Sequence, residues 1–89
     1  MNKIEKHADI CVELNKLYEA KNHDYGDSFG KGFKEYGPVM SAIRLEDKLS
    51  RFKSLIKSDA KVRDESIIDT LKDLANYSIM TVIEMEVKE

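Results

Sequence analysis

Two long stretches carry apolar residues at alternating spacings of three and four, with a short polar break between them. Ala42, Leu45, Leu49, Phe52 and Ile56 form the first seam. Ile67, Leu71, Leu74, Ser78, Val82 and Met85 form the second, widened by Ile68, Ala75 and Ile79. In an α-helix, residues three and four apart share a face, so both stretches are expected to be helical. Pro38, directly after Gly37, suits the first turn of a helix, because its missing N–H has no partner there in any case. These signals predict helices over 38–57 and 64–87. A turn as short as 58–63 folds them into an antiparallel hairpin.

Upstream, Ile4, His7, Cys11, Leu14 and Tyr18 recur at the same spacings, with Ile10 and Leu17 beside them, which predicts a helix over 2–20. His7 is expected on its apolar side, in the core or at an interface. Cys11 is expected to pack there as a small apolar residue. Residues 21–37 differ. All four glycines, Gly26, Gly30, Gly32 and Gly37, lie there with Tyr25, Phe29, Phe33 and Tyr36. That composition reads as a long loop, and long loops in small domains often carry function. The expected fold is therefore all-α. It is a single helical domain over 1–89, with three helices and a long glycine and aromatic loop between the first two. A chain of 89 residues buries only a modest share of its surface, so completion of the bundle by oligomerisation is expected.

Composition removes several function classes. The formal net charge is -2, so no global field favours a nucleic acid polymer or an anionic membrane. With one cysteine, there is no internal disulfide, zinc pattern or redox pair. No apolar run approaches the roughly 20 residues of a membrane span, and the charged start does not read as a signal peptide. A cytoplasmic protein is expected. No serine, histidine and acid set has the spacing of a nucleophilic enzyme.

The chemistry gathers on the faces opposite the two seams. Arg44, Asp47 and Arg51 fall within roughly 60° of one another. Asp69, Asp73 and Asn76 share a similarly narrow stripe. Ordinary surface ion pairs would explain the first stripe, at a few tenths of a kcal/mol each. They do not explain the second, because Asp69 and Asp73 repel at that spacing, and such a pair receives a metal ion or an arginine. Met40, Ile43, Met80 and Ile83 extend both stripes with apolar residues, which predicts a partly closed groove.

Three segments resemble a known family: Lys21-Asn-His-Asp-Tyr-Gly-Asp-Ser-Phe29, Ile43-Arg-Leu-Glu-Asp-Lys-Leu-Ser-Arg51, and Asp64 through Tyr77. They look like the nucleotide modification associated domain, type 1, which is common in bacteriophages. The resemblance runs over residues of about 20 to 82. The last two helices are also distantly similar to the all-alpha NTP pyrophosphatases (MazG-like enzymes), which hold magnesium on Glu-Glu-x-x-Glu and Glu-x-x-Asp motifs. Glu46 and Asp47 would stand for the first pair, and Asp69 for the aspartate. However, Ser50 and Arg51 occupy the region of the further glutamate, and Ser66 replaces the other.

Three functions follow. In the first, a nucleotide is held, with Arg44 and Arg51 on phosphate and Lys21 and Lys48 adding charge. Tyr25, Phe29 or Tyr77 would stack on a base, and Asp24 or Asn76 would bond sugar or base edges. Such a protein could sequester a signalling nucleotide, in a phage-infected host for example. In the second, Asp47, Asp69 and Asp73 hold Mg2+ for pyrophosphate hydrolysis. The third is an interaction module whose stripes are interface salt bridges. The expected partners are a nucleotide-type small molecule and further copies of the chain, with neither membrane nor nucleic acid polymer.

Overall fold

The computed structural model describes residues 2–57 and 63–87, and these hold four helices and no strand. Helix α1 spans Lys3–Tyr25, α2 Ser28–Tyr36, α3 Pro38–Leu55 and α4 Arg63–Glu86. The all-α expectation stands. The three-helix architecture and the long loop do not: α2 occupies most of the stretch read as loop over 21–37, and α1 covers its first residues. The expected turn at 58–63 falls almost wholly outside the described residues.

Helix α1 starts at Asn2, whose side-chain oxygen accepts the Glu5 N–H at 2.8 Å and so satisfies an otherwise unpaired donor. It runs five residues past the expected end at residue 20, to Tyr25. Gly26 then adopts a left-handed conformation (φ 59°), a common helix stop, and its N–H returns to the Asn22 carbonyl. Asp27 is also left-handed (φ 58°), so two consecutive residues reverse the chain before α2.

Why α2 is a helix is clear from its pattern. Phe29, Phe33 and Tyr36 sit at positions i, i+4 and i+7, a helical stripe. Phe29 is buried and Phe33 half-buried. Two glycines in nine residues cost about 1 kcal/mol each in a helix interior. Burial of Phe29 and partial burial of Phe33 offset that cost, while Tyr36 at the end of the stripe stays exposed. Gly37 separates α2 from α3 with φ 75° and ψ -167°, a region that side chains exclude.

Helices α3 and α4 pack on each other and the Arg51–Thr70 bond crosses their contact, but the two seams are only partly covered: Leu49 is 42% exposed and Val82 53%. The α1 contact with α4 is narrower. Leu14 is buried there, and its carbonyl accepts from the Asn76 amide at 3.2 Å. Lys72 donates to Glu13 across the same contact, and that bond holds the Glu13 carboxyl below its usual value of 4.5. The lowered value means the bridge contributes above the ordinary carboxylate range and is lost as pH falls through the lowered one. The start of α1 has no cover: Ile4 is 83% exposed. His7 is also exposed, not in a core, with its Nδ1 3.7 Å from the sulfur of an exposed Cys11. None of the described helices is long and apolar enough to cross a membrane.

Gly37→Ala should destabilise the fold by about 1–3 kcal/mol, because the new side chain is strained at this backbone geometry. Denaturant unfolding measures it; an unchanged midpoint would contradict the role given to Gly37.

Candidate functional site

A pocket of about 320 Å³ lies where α1, the start of α2, α3 and α4 converge. Helix α1 contributes Tyr18, Lys21, Asn22 and Tyr25, which recur every three to four residues and so share one face. The start of α2 contributes Ser28 and Phe29, α3 contributes Arg44, and α4 contributes Asp73, Asn76, Tyr77 and Met80. Its volume is at the lower end of the roughly 300–1,000 Å³ usual for small-molecule sites.

Asp73 is the electrostatic hub. Its carboxylate lies 3.8 Å from the Lys21 ammonium on α1 and 3.2 Å from that of Lys48 on α3. Asp73 and Lys48 are both more than two-thirds covered. Arg44 stands on the same pocket wall. Two lysines thus flank one carboxylate, and with Arg44 on the pocket wall the cationic groups at the site outnumber that carboxylate. The aromatic wall is the Phe29–Tyr77 pair, stacked with ring centres 5.9 Å apart and planes at 26°. Asn76 spends one amide hydrogen on Leu14, and its side-chain oxygen retains acceptor capacity.

Of the residues singled out from sequence, Lys21, Tyr25, Phe29, Arg44, Asp73, Asn76 and Tyr77 line this one pocket, and Lys48 reaches it through Asp73. Four stand elsewhere. Arg51 donates from Nε to the buried Thr70 hydroxyl at 3.2 Å, which ties it to the α3–α4 contact. Asp24 lies in a separate shallow depression beside His23, 3.5 Å from its Nδ1. Asp47 and Asp69 are exposed and do not line the pocket. Among the described residues, no three His, Cys, Asp or Glu side chains gather as a metal-binding group. Nor does any ion pair there join Arg44 or Arg51 to Asp69 or Asp73.

Met80, expected to extend the α4 stripe toward a groove, does line the pocket, whereas sequence reasoning missed Tyr18, Asn22 and Ser28. For Tyr18 and Asn22 the signal was their helical spacing with Tyr25, which emerges only once α1 is carried past residue 20.

The stacked pair fixes α2 against α4, so a double-mutant cycle of Phe29→Leu and Tyr77→Leu should show a coupling of about 0.5–1.5 kcal/mol. Additive losses in thermal unfolding would mean the rings do not hold the two helices together.

Comparison with curated proteins and with solved structures gave no match. Comparison with protein families matched residues 21–85 to nucleotide modification associated domain 1, a span that contains α2, α3, nearly all of α4 and every pocket residue except Tyr18. The chain belongs to the nucleotide modification associated domain 1 family.

Proposed function

We propose that this protein binds a nucleotide in the pocket between α1, α2, α3 and α4. The observation that carries the reading is the pairing of an excess of cationic groups with an aromatic wall in one small cavity. Arg44, with Lys21 and Lys48, would meet the phosphate, since guanidinium and ammonium donors form strong charge-assisted bonds to it. Tyr77 or Tyr25 would offer a ring face to the base. Stacking of this kind is worth about 1–3 kcal/mol per base. Asn76 would bond a base or sugar edge.

The charge arrangement favours holding such a ligand over cleaving it. Both oxygens of Asp73 face lysines, and Asp47 and Asp69 stand outside the pocket. The carboxylates expected to hold Mg2+ are therefore dispersed. The family's association with nucleotide modification agrees with a nucleotide ligand but names no reaction. Sequestration of a signalling nucleotide in a cytoplasm, such as that of a phage-infected host, is the physiological use this reading suggests.

Calorimetry against mononucleotides, dinucleotides and cyclic nucleotides tests the proposal. At least one should bind, and Arg44→Ala should weaken it by about 1.5–3 kcal/mol, or roughly tenfold to a hundredfold in Kd. The absence of binding at millimolar concentrations across the panel would contradict it.

A further inference from the structure

The chain exposes 7047 Å² of surface. A compact monomer of its mass, 10.2 kDa, exposes roughly 5,300 Å². Its radius of gyration is 14.6 Å, against about 12 Å for a compact chain of this length. Among the described residues only two apolar side chains, Leu14 and Phe29, are buried. As one chain the fold therefore leaves apolar side chains exposed on every helix, and one continuous strip of them runs along the α3–α4 hairpin.

The pocket residues Arg44, Lys48, Asp73 and Tyr77 all lie to one side of the α3–α4 contact. On the other side of that contact, at 100° per residue, lie Ala42, Leu49 and Ile56 of α3 and Leu71, Val82 and Met85 of α4. These belong to the two apolar seams, yet Leu49 is 42% exposed, Leu71 39% and Val82 53%. Ala42, Leu49 and Ile56 repeat every seven residues, the spacing that keeps one stripe along a helix facing a packed neighbour. Neither seam contains a charged residue from Ala42 to Ile56 or from Ile67 to Met85. The one polar member, Ser78, bonds the Leu74 carbonyl within its own helix at 3.1 Å, so burial leaves its hydroxyl satisfied.

We propose that a second copy of this chain covers this face. The α3–α4 hairpins of two copies then pack back to back as a four-helix bundle. The surface excess of roughly 1,700 Å², taken over the whole chain, leaves room for the ~800 Å² per partner of a standard stable interface. A hairpin face with Leu49 and Ile56 beside Leu71 and Val82, and with Glu46 and Lys53 at its α3 margin, suits a two-fold contact, in which the same patch serves both partners. The pockets face outward on opposite sides of the pair.

Sedimentation equilibrium on the full chain tests this. The expected mass is twice 10.2 kDa at micromolar concentration. A single-chain mass throughout that range overturns the proposal, as does a chain that gains mass only with a different protein. Leu49→Lys and Val82→Lys, both at positions exposed in the protomer, should each abolish the pair, while Leu49→Met should keep it. An assembly that survives both lysine variants uses another face and overturns the proposal. Should the lysine variants unfold, the wild-type melting temperature must rise with protein concentration. A concentration-independent value overturns the proposal in that case.

Discussion

Asp73 is where the pocket is tied together. It stands on α4, with Lys21 of α1 and Lys48 of α3 at its two oxygens. An aspartate left unpaired in so covered a position would carry a desolvation cost, and lysines alone there would repel. Together they bring three helices to one point and leave cationic character facing the cavity. The α1 anchor depends on the same neighbourhood: Leu14, the Asn76 bond to its carbonyl and the Lys72–Glu13 bridge all lie along the α1–α4 contact.

The helical hairpin was legible in the sequence because α3 and α4 have long seams, with Pro38 marking where the first begins. Helix α2 was not. Four glycines in seventeen residues outweighed the i, i+4, i+7 stripe of Phe29, Phe33 and Tyr36, and tertiary burial overrode local propensity. Treating residues 21–25 as loop hid the α1 face that supplies Tyr18, Asn22 and Tyr25. The arginine and aspartate stripes identified the right side of the hairpin, but helical geometry alone did not decide which members reach inward. Arg44 and Asp73 line the cavity. Arg51, about two helical turns beyond Arg44, is drawn to Thr70, and Asp69 is left at the surface.

The two faces of the hairpin divide the work. The front carries charge, amide and aromatic rings and is closed by α1 and α2. The back carries much of the apolar seam, and among the described residues nothing closes it. A sequence seam indicates that a face is apolar; whether the partner is an intramolecular helix or another molecule depends on how many helices the chain can supply. Here α1 and α2 both go to the front, so the back remains for a neighbour.

The most direct test of the nucleotide site is a two-dimensional NMR titration of the labelled chain with a nucleoside monophosphate. The account predicts saturable shifts at the Asn76 side-chain amide and at the backbone amides of Ser28, Phe29, Arg44 and Tyr77, with Leu49 and Val82 unmoved. Shifts confined to the α3–α4 back face, or none at saturating ligand, would contradict it.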